Sequence, residues 1–307
     1  MKFVVWIVGA AVTVAACSGG QPVGADTSST AAASVTSTVV TSTSTTQPTT
    51  TATLAPVRIA IAGDTGTGTT EQMDVARRMA SGESSGDYAA LVLLGDLIYP
   101  DGNLDLLDEV LLDPYADVLD GDTILVPALG NHDIRQGSED EILARLGRQS
   151  PWYAQRAGSA LIVVLDSNVP NDPDQLAWLE STLAASQDRW IIAAMHHPPY
   201  SAGYHGSSEE VRERFVPLFK KYGVDLVFAG HDHDYQRSRP IDDITYIVAG
   251  GGAKLRPTGT DSFTEVSESA LHFVDLEITN DELRATVIGL DGVIDEFTIP
   301  YAQSNQP

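Results

Sequence analysis

Asp, Asn and His recur along the chain in five short blocks, each following a run of apolar residues. The blocks are Gly63-Asp64-Thr65-Gly66, Gly95-Asp96-Leu97-Ile98-Tyr99, Gly130-Asn131-His132-Asp133, Ala194-Met195-His196-His197 and Gly230-His231-Asp232-His233. Oxygen and imidazole donors together suit iron, zinc or manganese. A carboxylate can bridge two cations, so a cluster of this size has ligands for a pair. Two metals roughly 3.5–4 Å apart can grip a phosphoryl group, generate a hydroxide nucleophile and stabilise a leaving oxygen. A turn or cap role would explain Asp64, Asp96, Asn131 or His231 singly, but it does not explain the set.

The apolar runs fix where these blocks sit. Residues 57–62, 89–94, 124–129, 190–195 and 224–229 read as buried strands. Residues 70–80 read as a helix with Met73, Ala76 and Met79 on one face. Asp172 caps a second helix that opens with Pro173, with Gln175 able to reach back to the cap. Leu176, Leu179 and Leu183 form its apolar side, and Val211, Phe215, Leu218 and Phe219 do the same for the next helix. From residue 241 onward the pattern is strands without intervening helices. Alternating strands and helices imply a largely parallel central sheet, whose ligands lie at the carboxyl ends of the strands. Asp64, Asp96, Asn131, His196 and His231 are therefore expected at one edge of one sheet.

The five blocks, in this order and spacing, resemble the motifs of the calcineurin-like metallophosphoesterases. Tyr99, three residues after Asp96, narrows the resemblance to the purple acid phosphatases of the short single-domain type. Trp178-Leu179-Glu180 and His197-Pro198-Pro199-Tyr200 are similar to that family too. The resemblance spans about residues 57–300. It implies an α/β fold of two packed mixed β-sheets flanked by helices, in four α/β/β/α layers. It implies iron(III) held by Asp64, Tyr99 and His233, and iron, zinc or manganese held by Asn131, His196 and His231, with Asp96 bridging. A metal-bound hydroxide would attack phosphorus, while His132 and His205 would contact the phosphoryl oxygens or the leaving group. His197 is expected behind the ligands rather than among them. The implied activity is acid phosphatase-like hydrolysis of phosphate monoesters. Phosphodiesterase or nucleotidase activity would use the same centre. Substrate choice is expected in the loops 134–137, 203–208 and 254–262. Arg237 and Arg239 are candidates either for substrate phosphate or for paired surface charge. A lipoprotein that captures phosphate or metal without turnover is the rival from another class, and it has no need of His132 or His205.

The rest of the composition sets the context. The 307 residues carry 42 Asp plus Glu against 18 Lys plus Arg, a formal charge of −24. Such a chain repels a nucleic-acid backbone, which excludes nucleic acid as a dedicated partner. It also repels phosphate esters at long range, so a local positive centre must capture them. The single cysteine, Cys17, rules out an intrachain disulfide and a Cys-based zinc cluster. An apolar run over residues 3–16 has the length of a signal-peptide core and is short for a membrane span. Val14-Ala15-Ala16-Cys17 resembles a bacterial lipobox, which implies cleavage before Cys17, diacylation of its thiol and anchoring on the outer face of the cell membrane. Residues 18–56 are dominated by Ser, Thr, Ala and Val and read as a disordered tether. Residues 57–307 are then the enzyme domain.

Overall fold

The computed structural model describes residues 55–81 and 88–301. The expected signal peptide, Cys17 and nearly all of the expected tether lie outside the described residues. In chain order the strands are β1 (Val57–Ala62), β2 (Ala90–Leu94), β3 (Ile124–Ala128), β4 (Tyr153–Ala157), β5 (Ala160–Val164), β6 (Trp190–Ala194), β7 (Leu226–Ala229), β8 (Tyr235–Ser238), β9 (Thr245–Ala249), β10 (Thr264–Glu268), β11 (His272–Ile278), β12 (Glu282–Gly289) and β13 (Val293–Pro300). The helices are α1 (Thr70–Ala80), α2 (Glu139–Arg145), α3 (Pro173–Ala185) and α4 (Glu209–Tyr222).

These strands form two mixed sheets, ordered β13-β12-β11-β1-β2-β3 and β10-β8-β9-β7-β6-β5-β4. The single central sheet drawn from strand–helix alternation is thus corrected to two. Periodicity identifies buried strands but not their partners. Within the first sheet β1, β2 and β3 run parallel, with Ala62 opposite Leu93 and Leu94 opposite Ala128. In the second, β5, β6, β7 and β9 run parallel, with Val164 opposite Ala194 and Ala194 opposite Phe228. Strands ending in register deliver their following loops to one place.

The sheets face each other through Ile59, Ile61, Val92, Leu94 and Val126 on one side and Ile162, Ile192, Leu226, Phe228 and Ile247 on the other. The outer face of the first sheet is covered by α1, through Val75, Ala76 and Met79 on Ala60, Leu91 and Leu93. The outer face of the second is covered by α3 and α4, through Leu179, Leu183, Phe215 and Phe219 on Leu161, Val163 and Val227. Strands covered on both faces read as continuous apolar runs, which is why they were visible in the sequence. The order of layers is helix, sheet, sheet, helix.

The helices differ in detail from expectation. On α1 the buried face is Gln72, Val75, Ala76 and Met79, and Met73 is only half-buried. Asp172 does cap α3, accepting from the N–H groups of Asp174 (2.8 Å) and Gln175 (3.0 Å). Gln175 does not reach back to the cap. It is buried and instead accepts from Asp166 N (2.8 Å) and donates to the carbonyls of Asp166 and Val169, tying the loop after β5 to the helix. Ser208 caps α4, and Gly223 closes it in the left-handed conformation.

Candidate metal centre

Three of the five blocks leave their strands by a sharp turn. Asp64 (φ 59°), Asp96 (φ 53°) and His231 (φ 72°) all adopt the left-handed region, where Asp and His are among the more tolerated residues. Such conformations cost roughly 1–3 kcal/mol each and persist when surrounding bonds over-determine them. Here the turns brace one another. Asp64 N donates to Gly95 O (3.1 Å) and Gly66 N to Asp96 O (3.1 Å). Asp64 Oδ2 accepts from His231 N (2.8 Å), and Asp96 Oδ1 accepts from His132 N (2.9 Å). The carboxyl ends of β1, β2 and β3 therefore meet those of β6 and β7. The site lies between two sheets rather than along the edge of one.

The side chains converge in two overlapping groups. In the first, Tyr99 OH donates to Asp64 Oδ1 (3.2 Å) and lies 3.2 Å from His233 Nε2, which is 3.4 Å from Asp64 Oδ1. In the second, His196 Nε2 is 3.1 Å from Asn131 Oδ1 and 3.2 Å from His231 Nδ1. Asp96 reaches both: its Oδ1 is 3.5 Å from His196 Nε2, and its carboxylate acts on the Tyr99 hydroxyl. Two donors about 2.0–2.2 Å from one ion and at right angles would be about 3 Å apart, so this spacing fits ligands that share cations.

The electrostatics point the same way. Asp64 is 0 % and Asp96 2 % exposed. Among the described residues their only ion-pair partners are the histidines His132, His196 and His233. Two buried carboxylates without a Lys or Arg partner call for a cation. Burial works against the Asp96 carboxylate, yet His196, the His132 N–H and Tyr99 outweigh it and hold the group below the usual range. Burial, then the Asp64 and Asp96 charges, push the Tyr99 phenol far up. A bound cation reverses that sign, because it favours the anionic donor. The donor set fits a pair of metal ions.

Around the donors, His132 and His205 face a cleft of about 850 Å³. The His132 ring packs 4.5 Å from that of Tyr99, its Nδ1 bonds to Pro100 O, and its Nε2 accepts from Arg135 Nη2 (3.0 Å). The His205 ring lies 4.3 Å from that of His231. His197 stands behind His196 and His231, with Nδ1 2.9 Å from Ser167 Oγ. Arg237 and Arg239 are paired, with Asp295 (2.6 Å) and Glu265 (2.8 Å), and do not line the cleft.

Sequence reasoning missed three supports. Asp133 is fully buried and accepts from the N–H groups of Gly130 (2.7 Å), Leu97 (2.8 Å) and Ile98 (3.0 Å), clamping the second block to the third. Burial and the Asp96 charge push its carboxyl up to about 7 against those three bonds. Asp232 is also buried and accepts from His205 N (2.6 Å), Gly206 N (3.2 Å) and Ser201 Oγ, which fixes the loop that carries His205. Gly250 sits so close that a Cβ there would stand 2.6 Å from Asp64 Oδ2, which accounts for part of the glycine run 250–252. The third missed support, after Asp133 and Asp232, is positive charge: Arg135, Lys254 and Arg256 line the cleft. Burial lowers the Lys254 ammonium pKa, Arg256 and Arg135 lower it further, and Asp96 and Asp64 oppose them.

Residues 57–235, more than half of the chain, match the family model described as calcineurin-like phosphoesterase, and the chain belongs to that family. It is similar to the tartrate-resistant acid phosphatase type 5 of Oryctolagus cuniculus, 27% identical over 286 residues that cover 77% of this chain and 88% of that protein. It is also similar to the Fe(3+)-Zn(2+) purple acid phosphatase 12 of Arabidopsis thaliana, 36% identical over 113 residues, which are 34% of this chain and 24% of that one. Its fold is shared with a purple acid phosphatase from yellow lupin (Lupinus luteus) seeds, at a TM-score of 0.70 and 20% identity, over 82% of this chain and 55% of that chain. The protein is a metal-dependent phosphoester hydrolase with a dinuclear metal centre.

Proposed function

We propose that the protein hydrolyses phosphate monoesters, with iron(III) held by Asp64, Asp96, Tyr99 and His233 and a second iron, zinc or manganese held by Asp96, Asn131, His196 and His231. The observation that carries this reading is the convergence of these seven side chains from two sheets, at donor separations of 3.1–3.5 Å. The relatives named as acid phosphatases, one of them as an Fe(3+)-Zn(2+) enzyme, support the choice of reaction and metals. Bound there, two cations supply the positive charge that attracts a phosphoryl group and make water acidic enough to yield a nucleophile.

The chain's own residues do the rest. Asp96 orients both halves of the site, since one carboxylate reaches donors in each group. His132 is held at both ring nitrogens, Nδ1 by Pro100 O and Nε2 by Arg135, which fixes its ring at the cleft for contact with the phosphoryl oxygens or the leaving group. His205, locked by Asp232, presents its ring on the opposite side, beside His231. Leaving-group protonation from such a position typically contributes 10²–10⁴-fold. The substrate is a small phosphate ester, drawn against the chain's overall negative charge by the site itself. Work outside the cytoplasmic membrane, on a lipid anchor at Cys17, completes the proposal, and the lipobox-like residues 14–17 support it.

Replacing Asp96 with Asn tests the chemistry. The expected result is loss of the metal pair and of nearly all activity on p-nitrophenyl phosphate. An Asp96→Asn enzyme that keeps both metals and full turnover would sink the assignment.

A further inference from the structure

The cleft beside the metal donors is positive in a protein that is otherwise strongly negative. Outside the cleft, Arg78, Arg148 and Arg214 apart, the described cations lie against carboxylates, as Arg58 does on Asp275, Arg156 on Asp188 and Arg237 on Asp295. Arg135, Lys254 and Arg256 do not. None of the three has a carboxylate partner within 4.0 Å among the described residues, although the chain carries 42 Asp plus Glu. Glu71 is the one acidic residue on the cleft wall besides Asp96, and it belongs to the exposed first turn of α1.

Each cation is held by something other than an acid. Arg135 donates from Nη1 to Pro100 O (3.0 Å) and from Nη2 to His132 Nε2 (3.0 Å). Lys254 Nζ lies 3.3 Å from the centroid of the Tyr99 ring. The Arg256 guanidinium lies 4.5 Å from the centroid of the Tyr204 ring, its backbone N–H bonds to His233 O (3.0 Å), and its buried Nε has no partner. Aromatic faces and carbonyls orient a cation without cancelling its charge. The three side chains come from the loops after Asn131 and after Ala253, so they flank the ligands Tyr99 and His233 from two directions. A phosphoryl group on two metals already has its charge met. Three further cations, two of them with the forked guanidinium geometry, match a second phosphate.

We propose that Arg135, Lys254 and Arg256 form a second anion subsite, so that the preferred substrates are phosphate compounds whose leaving group carries a further phosphate. This rests on the phosphatase reading above and adds the class of leaving group. A cleft of about 850 Å³ has room for both groups. The subsite also answers the long-range repulsion expected from a chain of −24 formal charge, because a local cluster focuses the field where the substrate enters.

The test uses the metal-loaded enzyme and three non-hydrolysable probes: methylphosphonate, phosphonoacetate and methylenediphosphonate. Binding is measured for the wild type, for Lys254→Gln/Arg256→Gln, for Arg135→Gln and for Arg78→Gln. Arg78 is an exposed cation of α1 outside the cleft and controls for bulk charge. The expected result is that methylenediphosphonate binds at least tenfold tighter than methylphosphonate to the wild type. The double variant should lose tenfold or more of that ratio, Arg135→Gln a smaller part, and Arg78→Gln none. The ratio of kcat/KM for a diphosphate ester over p-nitrophenyl phosphate should fall in parallel. An unchanged ratio in the double variant, or an equal loss in Arg78→Gln, would overturn the subsite while leaving the phosphatase intact. Phosphonoacetate binding as tightly as the diphosphonate would overturn the choice of a second phosphate. A wild type without metals or phosphatase activity would overturn the underlying reading and this one with it.

Discussion

Gly95 immediately precedes Asp96 and packs against both Gly130, after β3, and His196, after β6 of the other sheet. Its φ is 89°, and a Cβ there would lie 2.7 Å from both His196 Nδ1 and Gly130 N. Ordinary contact begins near 3.4 Å, so Gly95→Ala must part these groups by about 0.7 Å. His196 cannot simply swing away, because its Nδ1 bonds to Leu94 O (2.8 Å) and its ring is fully buried. The displacement therefore separates Asp96, just after β2, from His196, just after β6, which is the link between the two donor groups. The left-handed φ adds about 1–2 kcal/mol of strain for any L-residue, and overpacking about 1–3 kcal/mol more. Misplacement by 1 Å can cost about 10²-fold in rate, so kcat should fall between roughly 10- and 100-fold. Gly121→Ala supplies the control: its φ is 83°, but nothing lies within 4 Å of the added Cβ. It should share the strain and keep both metals and full activity. The assay is urea unfolding, metal content and kcat on both variants. A Gly95→Ala enzyme as active and metal-loaded as Gly121→Ala would refute the reasoning.

Three further outcomes follow from particular residues. Burial holds the His272 imidazole at about 4, below the 6.5 of an unfolded histidine, so the unfolded chain binds the proton first as pH falls. Stability should therefore be full above pH 6.5 and drop by about 3 kcal/mol toward pH 4; His272→Gln should flatten that slope in urea titrations, and an unchanged slope would exclude His272 as its source. Asp232→Ala strands the N–H groups of His205 and Gly206 and should lower kcat about as much as His205→Ala, with little further loss in the double variant; additive losses would show that Asp232 acts elsewhere. Cys17→Ser should move the protein from the detergent-rich to the aqueous phase on phase separation and abolish fatty-acid labelling, whereas labelling that survives the change would exclude the anchor at Cys17.

Much of this molecule was readable from its chain because the chemistry sits where strands end. Runs such as β1, β2 and β6 are apolar on both faces and stop at Gly-Asp or at His, so strand, boundary and ligand type appear together. What could not be read was which strands pair. Nothing in the runs distinguishes β2 from β6, and only three-dimensional packing assigns them to different sheets. Short or polar elements were also silent. Strand β4 (Tyr-Ala-Gln-Arg-Ala) and strand β8 (Tyr-Gln-Arg-Ser) lack an apolar run, because β4 is a half-exposed edge and β8 buries polar side chains that find partners. Asp133 and Asp232 looked like ordinary loop acids. Their role depends on backbone N–H groups brought from more than 25 residues away, as Leu97 and His205 are, and no local pattern encodes that. The sequence suggested loop 254–262 for substrate choice, and the structure puts Lys254 and Arg256 on the cleft wall, but their convergence with Arg135 was not legible.

The most direct measurement is metal content of the purified protein together with its visible spectrum, before and after Tyr99→Phe. Tyr99 OH lies 3.2 Å from both Asp64 Oδ1 and His233 Nε2, so an iron(III) held by those residues would have the phenolate as a ligand. The account requires two metals per chain, iron among them, and a broad visible band that Tyr99→Phe abolishes. Two metals with oxidised iron and no such band would contradict the place given to Tyr99, and a folded, reconstituted protein that retains no metal would contradict the centre itself.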